Sequence, residues 1–245
     1  MSSYLEERIR WYDDNYRNGN ALISDTQFDQ LENNLKRVSP NCDYFTNKKA
    51  LPLPSLPKDQ IEEFLEGLLP TTRLLIQPKI DGCAIAIKYE NGKLEKAISR
   101  KGNDVTEKIK TIKSIPREIN IRSSFVVRGE LFTPEEEPSY SQRIASGYLR
   151  SKDFEPIPKI TFCAFQIINS HCNEYESLIY CRKLGFTIPE IVEANRTSQV
   201  ETFRQAWKSG KLFSDWPTDG IVVKINSRKL QLIREKSYGI YPHWQ

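Results

Sequence analysis

The dipeptide Asn91-Gly92, flanked by CAIAIKYE and KLEKAIS, constrains the fold of this 245-residue chain more than any other feature. Two alternating apolar runs joined by Asn-Gly read as a β-hairpin, because a two-residue turn of this hand needs residues that tolerate positive φ. A further apolar run, RLLIQ from Arg73, precedes the hairpin and predicts another strand. More strands are expected at Phe125–Phe132 and at residues 160–168 and 220–225, with helices near 174–184 and 199–208. Strands and helices mix without a regular βαβ alternation, so the expected class is α+β with largely antiparallel sheets.

Upstream of Arg73 the period changes. Tyr4, Leu5, Ile9, Tyr12 and Tyr16 recur at helical spacing, with Ser3 and Glu6 as a capping box and Gly19 as the stop, predicting a helix over 3–17. Ser24 with Gln27 starts a second helix, on one face of which fall Phe28, Leu31, Leu35 and Val38. Residues 1–47 thus form a small helical unit. Prolines at 40, 52, 54 and 57 mark a linker. A short helix over 58–68 then opens the second domain, residues 51–245.

Composition excludes several classes. The net charge of +4, from 36 basic and 32 acidic residues, permits nucleic-acid contact without demanding it. Five cysteines without a C-x-x-C spacing suggest neither a disulfide framework nor a zinc site, and His171-Cys172 has no spaced partners. The charged N-terminus does not resemble a signal peptide, and no run approaches the ~18 apolar residues of a membrane span. The expected location is cytoplasmic, away from membranes.

Chemistry concentrates in three segments in chain order: Lys79-Ile80-Asp81-Gly82, then Val127-Arg128-Gly129-Glu130-Leu131-Phe132, then Asp219-Gly220-Ile221-Val222-Val223-Lys224, with Arg100 between the first two. Alone, K-x-D-G is a polar turn. In this order the segments resemble the covalent nucleotidyltransferases, and more narrowly the NAD-dependent DNA ligases of the shorter ligase B type. The stretch from Gln77 through Tyr89-Glu90-Asn91-Gly92-Lys93-Leu94 to Ala97-Ile98-Ser99-Arg100 carries that likeness. Trp11-Tyr12-Asp13-Asp14-Asn15-Tyr16, Ile23-Ser24-Asp25 and Phe28-Asp29 are similar to the nicotinamide-mononucleotide-binding subdomain of these enzymes, which ATP-dependent ligases lack.

The resemblance implies an ATP-grasp-like adenylation domain of antiparallel sheets with flanking helices, acting with NAD and Mg2+ on nicked double-stranded DNA as a monomer in replication and repair. Lys79 would attack the α-phosphorus of NAD. A free lysine titrates near ~10.4, so the site must favour the neutral amine, and Lys224, brought next to Lys79 in the family, would contribute. Asp81 and Glu130 would face ribose and magnesium, with no residue assigned as a direct metal ligand. Gly82 and Arg100 would line the nucleotide site. Ser55, Leu56 and Gln77 match adenine-side positions, Gln77 standing where glutamate is commonest in the family. Phe165 either stacks on adenine or is core. Tyr16, Arg17, Asp25, Phe28 and Asp29 map onto the nicotinamide-mononucleotide clamp, with Phe28 in place of tyrosine and Arg17 in place of histidine. Tyr16 and Phe28 would equally serve a helix-pair core. Arg143, Arg150 and Lys211 would meet DNA phosphates. The family's last lysine-bearing strand would follow Tyr241-Pro242-His243-Trp244, so the expectation is a fragment or a shortened enzyme, in which a binding module without transfer chemistry, or an ATP-dependent ligase or capping-like transferase, are the competing readings.

Overall fold

The computed structural model describes residues 2–17, 22–40, 42, 44, 61–151, 159–168, 170–238 and 243–244. The chain divides into two compact units, Met1–Pro52 and Leu53–Gln245.

The first unit pairs helix α1, Ser2–Arg17, with α2, Asp25–Val38. Their apolar positions meet in a small core of Ile9, Leu35 and Tyr44, against which Leu5, Phe28 and Leu31 pack. Helix α1 already includes Ser2 and Ser3, so Ser3 is not its N-cap. Instead the Glu6 carboxylate accepts from Arg10 at 2.6 Å and from the Tyr44 backbone N–H at 2.9 Å. The capping box expected at α2 is present: Ser24 Oγ accepts from the Gln27 N–H at 3.3 Å, and Gln27 Oε1 accepts from the Ser24 N–H at 3.0 Å. Ser24→Ala should therefore lower the stability of this unit by about 1 kcal/mol, read as a lower urea midpoint by circular dichroism.

The described part of the second unit starts with helix α3, Ile61–Leu65, followed by β1, Leu74–Ile80; β2, Cys83–Glu90; and β3, Lys93–Ser99. Next come α4, Thr106–Lys110; β4, Phe125–Phe132; α5, Pro138–Arg150; β5, Thr161–Ile167; and α6, Glu174–Lys183. The described chain closes with β6, Val192–Ala194; α7, Val200–Lys208; β7, Thr218–Ile225; α8, Arg228–Tyr238; and β8, His243–Trp244. The class is α+β, as expected. Asn91 and Gly92 take φ of 49° and 79°, the paired positive values a tight hairpin turn requires.

Two four-stranded sheets result, ordered β6-β1-β7-β8 and β3-β2-β4-β5, and every strand pairing between the described strands is antiparallel. Consecutive strands β1 and β2 therefore lie in different sheets, and the Asp81-Gly82 step between them passes from one to the other. Strand β1 is buried on both faces, which explains its unbroken apolar run: Leu74 and Ile76 enter one core with Val223 and Ile225, while Leu75 enters the other. Each fully buried leucine or isoleucine contributes roughly 2 kcal/mol from apolar burial.

Three helices escaped the sequence pattern. Helix α4 is a single turn, α8 presents only a few apolar residues, and α5, PSYSQRIASGYLR, buries Ser141, Ala145 and Tyr148 along one side, where two small residues stand in place of large apolar ones. Helix α3 ends at Leu65, earlier than the expected residue 68, and the φ of 73° at Gly67 ends helical geometry.

Candidate active site

Paired residues of an antiparallel ladder project to the same face. In the β1–β7 register Lys79 lies opposite Gly220, Gln77 opposite Val222 and Leu75 opposite Lys224, so Lys79, Gln77 and Lys224 share one face of their sheet. Between Lys79 and Ile80 the register slips, leaving Asp219 as an extra residue on β7. Such a bulge re-aims a side chain. Here it sets the Asp219 carboxylate against Lys79, whose Nζ lies 2.7 Å from Oδ1 and 2.6 Å from Oδ2. Gly220 leaves room beside them: a Cβ there would sit 3.3 Å from Lys79 Cδ. The backbone N–H of Asp81 donates to the Pro217 carbonyl at 2.9 Å, tying the crossover to β7.

The second sheet supplies Glu130, opposite Ala84 on β2 and Cys163 on β5. Gly82 is required by this junction, since a Cβ would meet the Leu131 carbonyl oxygen and come within 3.0 Å of Glu130 Cγ. Burial pushes the Glu130 carboxyl up to about 8, with Arg100 and Lys79 pulling it back down and Asp81 and Asp219 pushing it further. Asp81 is likewise raised, first by burial, then by Asp219, with Lys79 opposing. These mutual influences group Lys79, Asp81, Arg100, Glu130 and Asp219 in one electrostatic cluster. Asp219 carried no assigned role in the sequence reading, although the motif that begins with it was visible.

Gln77 is 2% exposed, and its Nε2 has no hydrogen-bond partner among the described residues. A buried donor without an acceptor is costly, and a nucleobase ring nitrogen accepting from Nε2 would satisfy it. Together with the cationic Lys79 and the glycines that open its surroundings, this donor set fits an adenine nucleotide. Among the described residues no group of three or more His, Cys, Asp or Glu side chains is arranged to hold a metal ion.

Lys224 corrects an expectation. It does not lie beside Lys79: Gly220 faces Lys79, and Lys224 is four residues further along β7. It is 3% exposed, and its ammonium donates to the Phe165 carbonyl and to Glu174 Oε1 at 2.9 Å. The cause is a second bulge. Phe165 is the extra residue where β5 slips against β4 between Arg128 and Gly129, leaving its carbonyl available to Lys224. The half-buried Phe165 ring lies 5.6 Å from Lys224 Nζ.

Arg143 and Arg150 are exposed residues on α5, seven positions apart and thus on one side of the helix. Arg150 reaches back to the Ser146 carbonyl at 3.2 Å, and Arg143 to that of Ser139 at 3.3 Å. The charge of Arg150 is felt at Cys83, whose thiol burial pushes up to about 12. Lys211 is exposed just beyond α7. In the first unit Phe28 is half-buried against the Ile9–Leu35–Tyr44 core and Asp29 is exposed. The side chains of Tyr16, Arg17 and Asp25, and the whole of Ser55 and Leu56, lie outside the described residues. No described helix is long and apolar enough to cross a membrane.

Residues 57–140 match the family described as NAD-dependent DNA ligase adenylation domain. The DNA ligase of Metamycoplasma arthritidis is 29% identical in an alignment covering 91% of this chain and 42% of that protein. The Borrelia hermsii DNA ligase is 28% identical over 94% of this chain and 37% of its own length. The chain thus spans about two fifths of the length of these curated relatives. A solved structure called Pmar-Lig_Pre superposes with a TM-score of 0.52 at 12% identity, covering 84% of this chain and 48% of that one, a likeness of fold alone. Residues 57–140 thus match the adenylation-domain model of the NAD-dependent DNA ligases, and the chain as a whole is similar to bacterial DNA ligases over most of its length.

Proposed function

We propose that the chain is the adenylation part of an NAD-dependent DNA ligase and that Lys79 is its nucleophile. The carrying observation is the cluster at the sheet crossover: Lys79 held through both Asp219 oxygens, with Asp81, Glu130 and Arg100 within electrostatic reach. Attack requires the nitrogen lone pair, so the ammonium first gives up a proton, and Asp219 is the acceptor already in hydrogen-bond contact. Lys79 Nζ then forms a bond to the α-phosphorus of NAD as the bond from that phosphorus to the bridging pyrophosphate oxygen breaks, nicotinamide mononucleotide leaving with the electron pair. The nitrogen then loses its second proton, to the departing mononucleotide phosphate or to solvent, and a phosphoramidate on Lys79 remains. Gln77 would hold the adenine edge and Phe165 its face, with Ser55 and Leu56 on the adenine side and Gly82 giving the backbone close approach.

A magnesium ion would offset charge on the phosphates, taking most of its ligands from them and from water, with Asp81 and Glu130 as the nearby carboxylates. Tyr16, Arg17, Asp25, Phe28 and Asp29 would recognise the nicotinamide half, which is what distinguishes NAD from ATP in this reading. Arg143 and Arg150, two helical turns and about 10 Å apart along α5, would take phosphates of a nicked duplex, with Lys211 adding charge. Gly147 between them supports this role, because a Cβ there would meet nothing within 4 Å and the helix face is open.

Intact-mass measurement after incubation with NAD and magnesium tests the reading. Gain of one AMP, absent from Lys79→Ala, is expected. An adduct formed from ATP but not NAD moves the assignment to an ATP-dependent ligase or capping-like enzyme, and salt-sensitive DNA binding without any adduct moves it to a shortened binding module.

A further inference from the structure

We propose that Glu174, at the start of helix α6, is a positioning residue that sets where the Lys224 charge stands on the face shared with Gln77 and Lys79. This inference rests on the adenylation reading. Lys224 Nζ has three donors. One goes to the Phe165 carbonyl and one to Glu174 Oε1 at 2.9 Å, which leaves the third for an anionic oxygen between the sheets.

The Glu174 carboxylate is itself fixed. Gln231 of α8 donates to its Oε2 at 3.3 Å and to the Ile225 carbonyl at 2.7 Å, so one amide joins the carboxylate to the end of β7. The backbone holds it too: the Glu174 N–H donates to the Asn226 carbonyl at 2.9 Å, and the Tyr175 N–H to Asn226 Oδ1 at 3.0 Å. In return the Arg228 N–H donates to Asn173 Oδ1 at 3.2 Å. The first turn of α6 is therefore clamped to the end of β7, the strand that bears Lys224. A carboxylate at a helix N-terminus is also favoured by the exposed N–H groups there.

A stability role explains this arrangement poorly. Glu174 is 6% and Lys224 3% exposed, and a buried ion pair gains little net free energy over an apolar pair because both charges lose hydration. What the pair does determine is the place of a cation. Lys79 lies on the same face, four residues along β1 from Leu75, the residue opposite Lys224, so both cations would face one nucleotide bound over this sheet.

The 245-residue chain is assayed for single-turnover AMP transfer over a range of NAD concentrations, with magnesium. Glu174→Gln keeps the shape and hydrogen-bonding capacity but removes the charge. Its maximal rate is expected to fall by on the order of tenfold to a hundredfold, as small misplacements of charged groups do, while half-saturation by NAD is unchanged. Glu174→Asp, which keeps the charge and withdraws it by one methylene, is expected to fall between the two. Should Glu174→Gln fail to fold, as a melting measurement shows, Glu174→Asp is read the same way. A rate equal to that of the unaltered protein, or a loss confined to half-saturation, overturns the inference alone. No adduct on the unaltered protein overturns the adenylation reading and this inference with it.

Discussion

Gly129→Ala is expected to destabilise the second unit by on the order of 3 kcal/mol, the upper part of the range for overpacked cores. Gly129 sits mid-strand on β4, opposite Ala164, and the Phe162 ring lies across it. A methyl group there would approach Phe162 Cε2 to 2.5 Å and would also meet the Cys163 carbonyl oxygen. Neither neighbour has room to move. The Phe162 ring is fully buried and packs edge-on against Phe186 at 6.2 Å, while the Cys163 carbonyl is part of the β5 backbone next to the Phe165 bulge. Thermal unfolding reads the effect as a drop of roughly 2–4 °C per kcal/mol for a domain of this size. A midpoint within one degree or so of the unaltered protein would mean that the two strands separate without cost, contrary to this account.

Glu130→Gln should make the protein more stable at alkaline pH. The Glu130 carboxyl is pushed from 4.5 up to about 8, chiefly by loss of hydration and against the pull of Arg100. The folded protein thus retains this proton up to about pH 8, whereas the unfolded chain releases it near 4.5. In that window the folded state binds the extra proton, so stability declines as pH rises. The contribution is complete below the unfolded value and is lost as pH climbs through the folded one, a span worth on the order of 5 kcal/mol. Glutamine keeps the neutral form at every pH. Melting curves from pH 5 to 9 are expected to diverge, with Glu130→Gln flatter and several degrees higher at the alkaline end. Parallel curves for the two proteins would contradict the burial of this carboxyl.

Local rules reach a long way here. Asn91-Gly92 could only turn the chain back tightly, and both residues adopt positive φ. Phe125–Phe132 is a strand because its apolar and small residues alternate with Val126, Arg128 and Glu130 on the less buried face. The α2 start follows from the Ser24–Gln27 exchange, which needs nothing beyond four consecutive residues. Helix α5 was invisible for the opposite reason. Its stability comes from Ala145, Tyr148 and Ser141 buried against the rest of the domain, and from Lys108 capping its end through the Tyr148 carbonyl and Ser151 hydroxyl at 2.7 Å each. Packing outweighs weak intrinsic preference in such a segment.

The site divides in the same way. The order of three charged segments along the chain, through its resemblance to the covalent nucleotidyltransferases, singled out Lys79, Asp81, Glu130 and the strand ending in Lys224. Which of them meet was decided by two bulges. One residue of slippage opposite Lys79 puts Asp219 in its grasp, and one residue of slippage at Phe165 frees the carbonyl that helps to hold Lys224 with Glu174. Strand register depends on contacts between segments distant in the chain, 140 residues apart for Lys79 and Asp219 and 38 for Arg128 and Gln166 beside the second bulge, and no local pattern carries it. The amino-acid order therefore determined the kinds of group available and the elements that bear them, while the tertiary structure alone decided that Lys79 faces Asp219 and that Lys224 belongs to Glu174.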